Sequence, residues 1–212
     1  MMLPIGAAVL SIGVCLPLFM TYKASPHPVL AALFKALATL CALVVALVAA
    51  IRLNDVCWIC VIALFFHAAA DFMLEFSFPV GMGLFLAGHV CYIAFFTRIY
   101  PLVLSQVICM LAFLGLIAYF LYRWRKEARS YYKMFIPYGV VLSAMCGFAV
   151  GGGLAQYTTQ GFLVAGGGAL FFLSDMLLVK QMLFPAGRLM PWAVMITYES
   201  AQLLFAASCL FL

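Results

Sequence analysis

The sequence predicts an all-α fold, a polytopic membrane protein built as a bundle of transmembrane helices. Its residues are 69% apolar and only 8% charged, whereas a typical soluble domain is about 25% charged. A bilayer core of about 30 Å is crossed by about 20 helical residues, so a chain of 212 residues holds about eight spans with their loops. Because hydrocarbon offers the backbone no hydrogen-bond partners, each span must be a helix.

Breaks at prolines, glycines and charge clusters divide the chain into these helices. In chain order, the predicted spans are Met2–Met20, Val29–Ile51, Val56–Leu74, Val80–Thr97, Pro101–Tyr122, Met134–Val150, Gly161–Phe184 and Leu189–Leu212. The first span lacks the basic start and the cleavage site of a signal peptide, so we interpret it as a retained helix. Gly151–Gly153 is predicted to form a short flexible turn after the sixth span. We expect one integral-membrane helical domain over residues 1–212.

Basic residues are distributed unevenly among the connecting loops. The second and fourth loops hold only Arg52 and Arg98, whereas the odd-numbered loops carry Lys23, Arg123, Arg125, Lys126, Arg129, Lys133, Lys180 and Arg188. The positive-inside rule therefore predicts that the odd-numbered loops are cytoplasmic and that both termini are outside. We expect a multi-pass protein of the plasma (inner) membrane of a bacterium. The RWRKEARSYYK segment is interpreted as an anchor near lipid headgroups, and no nucleic-acid partner is expected.

Two aspartates, Asp71 and Asp175, lie inside long apolar stretches of a chain with only six acidic residues. A charged side chain at bilayer depth costs roughly 2.5–3.5 kcal/mol on insertion scales, so such residues usually mark functional sites. Counting about 1.5 Å per helical residue from the cytoplasmic ends places both of them in one leaflet with Lys35, His89 and Glu199. The sequence therefore predicts a polar site at roughly 5–15 Å depth in the cytoplasmic half of the membrane.

The polar neighbours of the two aspartates have several interpretations. His67, Asp71 and Glu75 recur at i, i+4 and share one helix face. His67 is either a structural partner or a site residue, and Glu75 is interpreted as solvated at the interface. Lys35 lies nearer the core, where a charge partner such as Asp71 or Asp175 would offset its burial.

Three segments carry the polar residues in a recognisable order. HAAADFMLEFSFPVGMGLFLAGHVCYIAFF places an aspartate helix before a glycine, His89 and Tyr92; GGGALFFLSDMLLVKQMLF holds Ser174 and Asp175; and TYESAQLLFAAS holds Tyr198 and Gln202. Together these motifs resemble the YhhN-like proteins, whose animal members are lysoplasmalogenases. Glu199 is a departure, because the family pattern leads us to expect a neutral residue there.

The resemblance implies hydrolysis of the vinyl ether bond of a lysoplasmalogen to a fatty aldehyde and a glycerophospho-base. Such a bond is cleaved by protonating its β-carbon and capturing the resulting oxocarbenium ion with water, so an acid and a base are required. We expect Asp175 to be the acid and Asp71 to activate water, although the sequence also allows the reverse assignment. Lys35 either holds a carboxylate ionised or binds the phosphate. Four residues are expected to orient substrate or water: His89, Tyr92, Tyr198 and Gln202.

Two other functions use the same residue types. Intramembrane Asp, Lys and His also serve proton-coupled transporters, although no internal repeat is evident. A metal-dependent lipid hydrolase is the second alternative, although the sequence has no HExxH motif and only three histidines. We expect no cofactor and no metal, with a lysophospholipid substrate and membrane lipids as partners. The oligomeric state is left open.

Overall fold

A computed structural model describes residues 2–212, which form eight helices and no strand. In chain order, the helices are α1 (Met2–Lys23), α2 (Pro28–Arg52), α3 (Cys57–Leu74), α4 (Phe78–Ile99), α5 (Leu104–Arg123), α6 (Tyr132–Gln156), α7 (Thr159–Leu183) and α8 (Met190–Ser208). Each is long and apolar enough to cross a membrane, counting the short 3₁₀ turns that precede α6 and follow α8. The predicted all-α fold with eight spans is confirmed.

Local sequence explains several helix ends. Prolines occupy the first turns of α2, α4 and α8, where the missing N–H costs no hydrogen bond. Thr158 caps α7, because its hydroxyl oxygen accepts a hydrogen bond of 3.0 Å from the backbone N–H of Gly161. Within α1, the turn Ser11–Cys15 is π-helical. Such turns are frequent at functional sites, and the buried Ser11 side chain points from this one to Glu199.

The predicted flexible turn at Gly151–Gly153 is wrong, and so is the end of the sixth span at Val150. These glycines are helical and buried, and α6 continues to Gln156. A Cβ on Gly151 would lie 2.5 Å from the carbonyl oxygen of Ser105, on α5. One on Gly153 would lie 2.4 Å from the carbonyl oxygen of Gly161, on α7. The triplet is therefore the place where α6 makes close contact with two neighbouring helices.

The helices do not pack only with their neighbours in sequence. α2 also contacts α8, α4 contacts α6 and α1 contacts α8, so the helices other than α5 surround a shared interior. α5 packs mainly against α6 and stays at the periphery. Large buried aromatic residues fill the interior, among them Tyr92, Phe96, Phe171 and Phe205. This arrangement brings polar side chains of α2, α3, α6, α7 and α8 toward one end of the bundle.

Candidate active site

Asp71 lies one turn before the end of α3 and is almost completely buried, with 1% of its surface exposed. Its Oδ2 accepts hydrogen bonds from the Thr39 hydroxyl, at 2.6 Å, and from the Tyr198 phenol, at 2.8 Å. Its Oδ1 accepts no hydrogen bond from residues 2–212, and the ammonium group of Lys35 is 4.0 Å from it. One carboxylate oxygen is therefore held in place, and the other is buried without a hydrogen-bond donor among residues 2–212.

Asp175, in the middle of α7, has a similar arrangement with different partners. The Tyr138 phenol donates a hydrogen bond of 2.6 Å to its Oδ2. Within the described chain no lysine, arginine or histidine forms an ion pair with it. The neighbouring Ser174 hydroxyl donates to the backbone carbonyl of Val194 at 2.9 Å and so joins α7 to α8. The two aspartates are each held by a tyrosine and differ in charge environment.

Lys35 is held between two carboxylates. Its Nζ is 3.3 Å from Glu75 Oε1 and 4.0 Å from Asp71 Oδ1. The interpretation of Glu75 as solvated is therefore wrong, since only 16% of its side chain is exposed. The reason is tertiary, because Lys35 of α2 reaches the end of α3 and neutralises the carboxylate that follows it. Of the two roles considered for Lys35, this geometry favours holding carboxylates ionised.

Both aspartates line one cleft, together with Lys35, Ser174, Tyr138 and Tyr198. The cleft encloses about 1110 Å³ of space outside protein atoms, counted to its open mouth. Part of that space is open solvent, so it is not the volume of an enclosed cavity. Most of its other lining side chains are aliphatic, aromatic or methionine.

The cleft lies at the end of the bundle that carries the odd-numbered loops. Lining residues come from the last turns of α1 and α3, such as Lys23 and Leu74, and from Trp124 just after α5. Others come from the first turns of α4, α6 and α8, namely Phe78, Phe135 and Pro191. Those ends meet only where the first, third, fifth and seventh loops lie.

Four of the residues predicted from sequence are buried beside the cleft and do not line it: His67, His89, Tyr92 and Gln202. The two imidazole rings touch, with centroids 5.2 Å apart, and His89 packs against the ring of Tyr138 at the same distance. The Tyr92 phenol donates a hydrogen bond of 2.5 Å to the Gln202 side-chain oxygen. These four form a supporting layer behind the cleft and its aspartates.

Sequence reasoning missed two direct partners of the aspartates. Thr39 is one helical turn after Lys35, so its position on the same face of α2 was readable from the spacing. Tyr138 has no such signal, because α6 meets α7 only in the folded bundle. Glu199, expected at the same membrane depth but noted as a departure from the family pattern, is completely buried. It accepts a hydrogen bond of 3.2 Å from Ser11, and its Oε1 lies 3.4 Å from the Thr39 hydroxyl oxygen.

Metal binding would need several ligands in one place. In the described part of the chain, no three His, Cys, Asp or Glu side chains are grouped so that they could hold a metal ion. Although His67 and His89 are in contact, Asp71 and Asp175 form their hydrogen bonds with hydroxyl groups instead.

Eight membrane-length helices around a cleft with two buried aspartates define an integral membrane protein with an acidic site near one membrane surface. The YhhN family model matches residues 30–209. The chain therefore belongs to the YhhN family, the family of lysoplasmalogenases. Neither the comparison with curated proteins nor the comparison with solved structures finds a match. The matched region includes Lys35 and both aspartates, and begins just after the start of α2.

Proposed function

We propose that this protein is a membrane hydrolase that cleaves the vinyl ether bond of lysoplasmalogens, releasing a fatty aldehyde and a glycerophospho-base. Family membership supports a reaction of this type. The observation that carries the proposal is that Asp71 and Asp175 line one apolar cleft, each held by a tyrosine on one oxygen. A single-chain ether lipid is amphipathic, and its scissile bond lies just below the headgroup, the level at which this cleft holds its carboxyl groups.

Asp175 is assigned as the general acid. No cation of the described chain pairs with it, and its surroundings are apolar, so the neutral carboxylic acid is the favoured form. It delivers its proton to the β-carbon of the vinyl ether while the ether oxygen stabilises the adjacent carbon as an oxocarbenium ion. The hydrogen bond from Tyr138 keeps the carboxyl group directed into the cleft.

Asp71 is assigned as the general base. The ammonium group of Lys35 favours its ionised form, and Oδ1 is the oxygen left without a hydrogen bond from residues 2–212. A water molecule bound there adds to the oxocarbenium carbon and gives its proton to Asp71. The resulting hemiacetal transfers its hydroxyl proton to the ether oxygen and breaks into aldehyde and alcohol. Water then carries the proton from Asp71 back to Asp175, which completes the cycle.

The test is aldehyde release by purified protein from a panel of lysoplasmalogens and ordinary lysophospholipids. Asp71→Asn and Asp175→Asn remove one proton-transfer group each while keeping the shape of the side chain. We expect each variant to lose about 10²–10⁴-fold in turnover, the usual contribution of general acid–base catalysis.

The control variant is Asp55→Asn, because Asp55 is exposed in the second loop, away from the cleft. It should hydrolyse lysoplasmalogens like the unchanged protein. Thermal unfolding checks that each variant is folded. Normal aldehyde release by either folded cleft variant would contradict the two-carboxylate mechanism.

A further inference from the structure

A phosphate group on the substrate requires a cation that is not already neutralised. Lys35 does not meet this requirement, because its ammonium group pairs with Glu75 and lies beside Asp71. A second lysine, Lys23, lines the same cleft from the last turn of α1. It is exposed, and within residues 2–212 it has no acidic partner at ion-pair distance.

The position of Lys23 is set by a ring that it shares with Lys35. Its Nζ lies 5.1 Å from the centroid of Phe19, and Lys35 Nζ lies 5.6 Å from the same centroid. Phe19 is buried, with 1% of its surface exposed, and its ring is close to both ammonium groups. Lys35 is beside the base Asp71, while Lys23 is the neighbouring cation at the mouth of the cleft.

The arrangement of an acidic site inside the cleft and a free lysine at its mouth matches the chemistry of a single-chain phospholipid. In a lysoplasmalogen the glycerol backbone separates the vinyl ether from the phosphate by only a few bonds. With the vinyl ether beside Asp71 and the tail in the apolar cleft, the phosphate points toward the mouth. We propose that Lys23 binds the phosphate of the substrate and thereby selects single-chain phospholipids over neutral alkenylglycerols. This inference rests on the proposed function.

The activity test compares two substrates that share the vinyl ether and differ in the phosphate: a lysoplasmalogen and a 1-alkenylglycerol. Lys23→Gln should lower kcat/KM for the lysoplasmalogen about tenfold or more, mainly through KM, because a hydrogen bond to a charged group is lost. The preference for the lysoplasmalogen over the alkenylglycerol should shrink by the same factor. Lys23→Arg keeps the charge and should keep most of the preference.

Lys180→Gln is the matched control, because Lys180 is an exposed lysine at the same end of the bundle that does not line the cleft. It should leave the substrate preference unchanged. The proposal is overturned if Lys23→Gln lowers kcat/KM equally for both substrates, for neither substrate, or by no more than Lys180→Gln.

A binding measurement separates this inference from the proposed reaction. A saturated 1-alkyl lysophospholipid cannot be hydrolysed by protonation of a double bond. Its binding can be followed by tryptophan fluorescence in a Trp58→Phe, Trp192→Phe background, which leaves Trp124 in the cleft as the single tryptophan. Weaker binding by Lys23→Gln supports the phosphate site even if no substrate releases aldehyde. Aldehyde release with unchanged lipid binding in Lys23→Gln supports the reaction and overturns the site. Inorganic phosphate, titrated in parallel, should bind far more weakly than the lipid; equal binding would overturn the assignment to a lipid phosphate.

Discussion

At the level of single residues, the two aspartates of the cleft differ in their charge environment. Both are buried and both accept a phenolic hydrogen bond, from Tyr198 for Asp71 and from Tyr138 for Asp175. They differ in their distance from Lys35, which lies beside Asp71 but does not pair with Asp175. A carboxylate near a cation and a carboxyl group without one are suited to base and acid roles respectively.

Glu199 is the third buried carboxyl group, and the structure indicates a supporting role for it. One of its oxygens accepts a hydrogen bond from Ser11, the other lies 3.4 Å from the Thr39 hydroxyl oxygen, and it does not line the cleft. No cation of residues 2–212 pairs with it. A buried carboxyl group without a cation is expected to be neutral. Because the Thr39 hydrogen is donated to Asp71 at 2.6 Å, a protonated Glu199 can in turn donate to the Thr39 oxygen.

This role predicts the behaviour of two substitutions. Glu199→Gln supplies one oxygen for Ser11 and one N–H for Thr39, so stability and aldehyde release should stay close to those of the unchanged protein. Glu199→Leu leaves both hydroxyl groups without that partner and should lower the free energy of unfolding by about 1–3 kcal/mol. Thermal unfolding in detergent and the aldehyde assay measure the two effects. A loss of turnover in folded Glu199→Gln comparable to that of Asp71→Asn would show that the Glu199 proton takes part in the reaction.

At the level of helices, small residues on α6 allow α5 to close one side of the cleft. Gly147 faces the backbone of Met110 on α5, and a Cβ there would lie 2.5 Å from it. The same helix α5 supplies Ile117 and Phe120 to the lining of the cleft. The position of these apolar side chains therefore depends on the close contact between α5 and α6.

Gly147→Ala should push α5 away from α6. We expect a loss of about 1–3 kcal/mol in the free energy of unfolding, because the added methyl meets backbone atoms that cannot rotate away. The control is Gly115→Ala on α5, where a Cβ meets nothing within 4 Å. That change should be neutral or stabilise the helix by about 0.5–1 kcal/mol. Equal unfolding temperatures for the two variants would contradict the close α5–α6 contact.

In the whole molecule, the cleft and the basic loops lie at the same end. Lys23 and Trp124 line the mouth, and the basic segment from Arg123 to Lys133 connects α5 to α6 at that end. The positive-inside rule predicts that this end faces the cytoplasm. We propose on this basis that substrate enters the cleft from the cytoplasmic leaflet.

Reporter fusions test this orientation in a bacterial host. Alkaline phosphatase needs disulfides and becomes active only outside the cytoplasm, so a fusion after Leu212 should be active and one after Lys126 inactive. Green fluorescent protein at the same two positions serves as the control and should give the opposite pattern. An inactive phosphatase after Leu212 together with an active one after Lys126 would reverse the proposed orientation.

Much of the architecture is predictable from the sequence because it depends on local properties. Apolar length and the need to satisfy backbone hydrogen bonds in hydrocarbon determine eight helices without reference to their neighbours. Counting residues along each helix also places Asp71, Asp175, Lys35 and Glu199 near one membrane level. Depth is a property of one helix at a time, which is why it can be read from sequence.

The tertiary structure decides which of these groups face one another. The order of the helices around the bundle cannot be read from any single helix. It brings Tyr138 to Asp175, and it brings Lys35 to Glu75 as well as to Asp71. It also places His67 and His89 behind the cleft, although counting residues predicts His89 in the same half of the membrane as the aspartates. The amino-acid sequence by itself determines a membrane bundle with acidic residues at one level. Only the packing of the helices, through contacts between residues distant in sequence, makes two of those residues line one cleft.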